Sequence, residues 1–272
     1  MALANDLLSQ PDLTYKGRCG NVKPGKRPAL DLSSLIVPLA AYLIAGLVKG
    51  TTGLGFSTTC LPILAISLGL KESLPLIIVP SLMSNVTVMR DAGHFRETVT
   101  RFWPLYVALL PGLAGGLALL AWVDGATAAV ALGIVLCLYA AYGLARPATR
   151  IEGGLVRPLA PPVGFITGFI NGLTGTQVMP LLPYMLALQL DPNRLVQAIN
   201  CSFTLSSLIM AAGLARLELF TLDQLAISVL GIVPALAGVK LGGVVRRRIG
   251  PETFRKMVLI VLLVLGVSLM LR

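Results

Sequence analysis

Four windows of this chain, 102–122, 126–145, 224–239 and 257–271, carry no Asp, Glu, Lys or Arg. Windows near 20 apolar residues span a hydrocarbon core as helices, because in lipid every backbone polar group must be satisfied inside its own segment. The apolar runs are continuous, not alternating, which excludes a β-barrel. Only 12% of the residues are charged, against roughly a quarter in soluble domains. The expected fold is an all-α integral membrane protein, an inverted-repeat bundle of about 8–10 transmembrane segments with short or broken helices at the repeat interface.

Ten apolar segments are expected: 33–49, 54–69, 73–90, 101–122 and 126–145, then 159–172, 175–190, 194–214, 222–244 and 255–271. The first two of each half are short. They are either complete short spans or half-helices meeting inside the membrane. Residues 1–31 are polar and form an expected flexible tail, lacking the basic start and short apolar run of a signal peptide.

The halves, 32–150 and 151–272, share a motif. Gly46-Leu47-Val48-Lys49-Gly50-Thr51-Thr52-Gly53 and Gly168-Phe169-Ile170-Asn171-Gly172-Leu173-Thr174-Gly175 both read G-x-x-x-G-x-T-G, at an offset of 122. Pro62 follows the first copy; Pro180 and Pro183 follow the second. Pro111-Gly112-Leu113-Ala114-Gly115 matches Pro234-Ala235-Leu236-Ala237-Gly238 at 123, and Ser81 falls close to Ser202. Two anchors at nearly one offset indicate duplication. An odd number of crossings per half then makes the second half enter from the opposite side. For Gly112, Gly115 and Gly116 the expected role is close helix approach.

The net charge of +10 sits mostly in short loops, as topology selection requires, so nucleic acid is not an expected partner. Loops 90–101, 146–158 and 240–256 share one side and hold the Arg-rich runs, including Arg246-Arg247-Arg248. The rule that positive loops stay inside makes them cytoplasmic and the C-terminus periplasmic, in a multi-pass inner-membrane protein. The tail's Lys16, Arg18, Lys23, Lys26 and Arg27 argue the other way for the N-terminus.

No enzyme chemistry can be assembled. His94 is the only histidine, and it lies in an Arg-rich loop. Cys19, Cys60, Cys137 and Cys201 have no paired spacing. No cofactor or metal site is expected. None of the twelve acidic residues lies at the centre of an apolar segment, so a bare cation site is not expected either.

An anion site is. Lys49 is a cation at membrane depth within the first motif, with Asn171 as its repeat mate. Helices beginning after the glycine breaks aim unpaired N–H groups and the positive dipole end at the break. Expected substrate-binding residues are Lys49, Gly50, Thr52, Gly53, Gly55, Ser57, Asn85, Asn171, Gly172, Thr174, Gly175, Gln177, Asn200 and Ser202. Ser81, Thr58 and Thr176 extend the set. The competing role for these Ser and Thr residues is local bonding to helix carbonyls. Lys240, at a segment end, is expected to snorkel.

Over about 35–271 the chain resembles the TauE/SafE family of sulfite and organosulfonate exporters and related anion permeases. The resemblance rests on the two glycine motifs with their prolines, on Gly93-His94-Phe95-Arg96, and on 216–224 and 241–251, which read RLELFTLDQ and LGGVVRRRIGP. It implies a secondary carrier, an exporter by expectation, of a small sulfur-containing anion working by alternating access. A passive anion channel, or a permease for another anion, stays open. Family members commonly run several glycines together in the first motif; here Thr51, Thr52 and Leu54 interrupt the run beside Lys49. That departure points to a more strongly charged anion. The expected partners are the anionic substrate and the bilayer, with homo-oligomerisation open.

Overall fold

The computed structural model describes residues 32–145, 150–248 and 251–271. The tail expected over 1–31 and residues 146–149, at the end of the expected first half, lie outside the described residues. Within them the chain is helical and contains no strand.

The first half forms α1 (Leu32–Thr52), α2 (Phe56–Leu68), α3 (Leu70–Ala92), α4 (Phe95–Trp122) and α5 (Gly125–Ala145). The second forms α6 (Gly153–Thr174), α7 (Leu181–Ala187), α8 (Pro192–Arg216), α9 (Leu222–Leu230), α10 (Ile232–Arg248) and α11 (Pro251–Met270). By length and apolarity, seven stretches among the described residues can cross a membrane, α9 and α10 counting as one. The motif helix α6 is 22 residues long but is not one of the seven; Arg157, Pro158, Pro161 and Pro162 fill its first half.

The ten expected segments reappear with three corrections. The first segment of each half is not short: α1 has 21 residues and α6 has 22. The seventh segment shrinks to a helix of seven residues, because Pro180 and Pro183 limit what can be helical. The ninth divides at Gly231, since Pro234 has no N–H for the Leu230 carbonyl.

Small residues set the pairing. A Cβ on Gly46 or Gly50 would overlap the carbonyl oxygen of Ala235 or Val239, so α1 lies backbone-to-backbone on α10. A Cβ on Gly164, Gly168 or Gly172 would overlap the carbonyls of Leu105, Leu109 and Leu113, and α6 lies on α4 in the same way. Gly112 and Gly116 complete the α4 side; Gly115 instead meets the Phe169 ring. Further, α3 packs on α8 and α5 on α11. The sequence offset relates α1 to α6 and α4 to α10. The α1–α10 pair therefore maps onto α6–α4, while α3–α8 and α5–α11 map onto themselves. A two-fold relation between halves has this pattern.

Prolines inside α3 leave carbonyls to be satisfied elsewhere. Pro80 cannot donate to Leu76, and the Leu76 oxygen instead accepts from Tyr42 Oη at 2.9 Å and Ser228 Oγ at 2.8 Å. These bonds tie α1, α3 and α9 together within the core built around Tyr42, Leu61, Leu64 and Leu74. At the start of α5, Asp124 Oδ1 accepts the Thr127 N–H at 2.6 Å, which holds the carboxyl below its usual range.

Candidate functional site

The first glycine break ends α1. The Gly53 N–H donates to the Lys49 carbonyl at 2.7 Å, and Gly53 and Gly55 take φ of 80° and 89°, a region that favours glycine. Gly55 caps α2 without a side-chain hydrogen bond, so the first-turn N–H groups of α2 have no side chain closing them off.

The second break is built differently. Gly175 has φ of 73°, but the chain stays non-helical through Pro180 before α7 starts. The Leu182 N–H is already taken by the Val178 carbonyl at 2.9 Å, and Pro183 has none. The expectation of two equivalent helix N-termini is corrected here: only α2 presents free first-turn donors and enough length to carry a dipole.

Lys49 is fully buried in the last turn of α1, and its ammonium donates to Asn85 Oδ1 on α3. No carboxylate pairs with it among the described residues. Asn85 Nδ2 is buried with no partner. Asn200 on α8 reaches the break from the other side, donating from Nδ2 to the Gly53 carbonyl at 3.2 Å and to Val196 at 2.8 Å; its Oδ1 is unpartnered.

Hydroxyls join the two breaks. Thr58 and Thr176 meet Oγ to Oγ at 3.4 Å, and Ser57 meets Ser81 at 3.2 Å. Gln177 Oε1 accepts from Ser206 at 2.8 Å and from Ser202 at 3.5 Å. Two cavities flank this seam. One of about 200 Å³ is bounded by Thr52, Gly55, Thr58 and Thr59, by Tyr139 and Tyr142 of α5, and by Arg255 of α11. It lies where α5 ends and α8 and α11 begin, at the Arg-rich end of the bundle. The other, of about 20 Å³, is bounded by Ser57, Ser81, Asn171, Gly175 and Gln177, and has room for one water.

The site residues read from sequence thus separate. Thr52, Gly55 and Thr58 border the larger cavity; Ser57, Ser81, Asn171, Gly175 and Gln177 border the smaller. Lys49 and Asn85 pair between helices and border neither. Gly50 and Gly172 are turned into helix seams. Thr52 bonds the Val48 and Leu54 carbonyls at 2.9 and 2.8 Å, and Thr174 bonds Ile170 at 2.7 Å, so local back-bonding holds for both.

Arg255, Thr59, Tyr139 and Tyr142 escape a sequence reading. Arg255 looks like one more loop cation, but it stands inside α11 and donates to the Gly143 carbonyl at 3.1 Å. Thr59 Oγ1 is buried beside the larger cavity with no partner. The only signal for these four was that α2, α5 and α11 would meet, which is a tertiary fact. Among the described residues no group of three His, Cys, Asp or Glu could hold a metal.

A full-length search among curated proteins gave no match, and neither did one among solved structures. The family model described as "Sulfite exporter TauE/SafE" matches residues 38–269. That span begins within α1, reaches almost to the end of α11 and takes in both glycine breaks and both cavities, so the chain belongs to the TauE/SafE sulfite exporter family, whose members are membrane transporters.

Proposed function

We propose that this chain is a secondary exporter of a small sulfur-containing anion, such as sulfite or an organosulfonate, working by alternating access. The observation that carries this reading is Lys49. A fully buried ammonium with one neutral partner and no carboxylate is costly, and an anion entering nearby offsets that cost. Its positive potential reaches the seam from behind the cavity wall, where the uncapped start of α2 adds partial positive charge.

The cavities support two-sided access. The Thr58–Thr176 contact stands between them, and the larger opens at the Arg-rich end. With Arg-rich loops on the cytoplasmic side, the larger cavity is the cytoplasmic vestibule and Arg255 its cation. The C-terminus is then periplasmic, in the inner membrane. Rocking of 32–150 against 151–272 closes the vestibule, parts the Thr58–Thr176 contact and opens the smaller cavity. Export of an anion needs no ATP: each elementary charge is worth about 2.3 kcal/mol per 100 mV of membrane potential.

The test is counterflow of labelled sulfite and taurine in vesicles containing the purified chain. Saturable counterflow that drops at least tenfold in Arg255→Gln supports the carrier reading. Unitary currents without counterflow identify a channel. Absence of both with sulfur anions, alongside counterflow of another anion, moves the substrate assignment elsewhere.

A further inference from the structure

Away from the seam, the N-terminal parts of α4 and α6 enclose a third cavity of about 230 Å³. Its walls include Arg101 and Trp103 of α4, Val156 and Arg157 of α6, and Tyr184 of α7. Both arginines are exposed, and neither has a carboxylate partner among the described residues. The Arg101 guanidinium lies over the Phe102 ring, 5.4 Å from its centroid. Arg194, at the same end of the bundle, is by contrast occupied by Glu97 at 3.4 Å and Asp191 at 3.1 Å. The Tyr184 hydroxyl donates to the Val156 carbonyl at 2.8 Å and fixes the inner wall, leaving the two guanidinium groups as its charged donors.

The rim is apolar. Trp103 is 58% exposed, and Val107, one turn further along α4, is 54% exposed. On α6, Leu155 and Leu159 are likewise exposed and one turn apart. The cavity therefore joins two unpaired cations to apolar rows that run outward along membrane helices. Tryptophan at this level marks the headgroup region of a bilayer. A free inorganic anion would use the arginines and leave the apolar rows idle; a neutral lipid would do the reverse.

We propose that this cavity binds the headgroup of an anionic phospholipid, with Arg101 and Arg157 on its phosphate and the acyl chains along Trp103, Val107, Leu155 and Leu159. The bound lipid bridges α4 and α6. These helices meet backbone-to-backbone through Gly164, Gly168 and Gly172, and a ligand held by both arginines adds a second tie at their N-terminal ends. The inference is independent of which anion the chain transports.

The experiment is thermal unfolding of the purified full chain in uncharged detergent with added phosphatidylglycerol or phosphatidylcholine. A ligand that binds only the folded state raises the midpoint. Phosphatidylglycerol raises it, phosphatidylcholine does not, and the shift is lost in Arg101→Gln/Arg157→Gln but kept in Arg246→Gln. Equal shifts with both lipids, or a shift that survives the double substitution, overturn the proposal. Glycerol phosphate matching the lipid also overturns it, because the site then takes a free anion. If the double variant does not fold, native mass spectrometry of wild type and Arg157→Gln decides: phosphatidylglycerol retained equally by both overturns the site.

Discussion

The two glycine breaks carry the same letters and do different things. At the first, the chain turns through Gly53–Gly55 and starts a 13-residue helix whose first donors are uncapped. At the second, it stays non-helical through a turn at Met179-Pro180 and then forms seven helical residues, in which the Leu182 donor is used and Pro183 has none. The first faces the large cavity and has Lys49 one turn away; the second faces the small cavity and has Asn171. The seams match, with Gly46 and Gly50 on one and Gly168 and Gly172 on the other, while the breaks differ. Shared motif letters therefore report packing more faithfully than they report ligand chemistry.

The largest expected effect tests the conserved part. Gly46→Val and Gly168→Val each force a side chain onto a partner carbonyl, on Ala235 and Leu109 respectively. Each should destabilise by about 3 kcal/mol or more. Thermal unfolding and yield of monodisperse protein read this out. A tolerant Gly168→Val beside an unfolded Gly46→Val would break the equivalence of the two seams.

The next prediction tests the divergent part. Lys49→Ala should weaken sulfur-anion binding by roughly tenfold or more, about 1.4 kcal/mol, and Asn171→Ala by much less. Equal affinities for wild type and Lys49→Ala would remove Lys49 from the site.

Smaller but more diagnostic is a pair of hydroxyl removals. Thr59 and Thr167 are both buried with unpartnered Oγ1 atoms, and Thr59 borders the larger cavity, which Thr167 does not. Thr59→Val and Thr167→Val should each stabilise the ligand-free chain by about 1 kcal/mol, since an unsatisfied hydroxyl is lost. Only Thr59→Val should also weaken anion binding. Unchanged binding in Thr59→Val would withdraw its hydroxyl from the vestibule.

The smallest effect is expected at Lys240, which the structure places exposed in the middle of α10 and not at a segment end. Lys240→Ala should leave both unfolding and anion binding unchanged, as a snorkelling cation does.

Much of the fold was legible because lipid constrains sequence harshly. The apolar windows at 102–122 and 126–145 lie within α4 and α5; three of the four ends agree to within a residue, while α4 begins earlier, at Phe95, through the polar turn that carries Arg96 and Glu97. The close-approach role expected of Gly112 and Gly116 is what the α4–α6 seam uses. The length of α7 was not legible, because periodicity does not say where a proline-bounded apolar run stops being helical. Nor was the inward role of Arg255, since the same residue type at a helix end serves topology, capping and binding alike.

Composition and the lengths of the apolar windows alone made this chain a helical membrane bundle, and the glycine spacing marked a break after α1 and another after α6. Apolar length, buried backbone and glycine spacing are local properties written in one dimension. Which helices meet was decided only in three dimensions, and with it what each break faces. The Thr58–Thr176 contact, the Lys49–Asn85 pair and the cavity beside Arg255 join residues distant in the chain. Such contacts depend on how close two backbones can approach, and the glycines of the α1–α10 and α4–α6 seams set that distance.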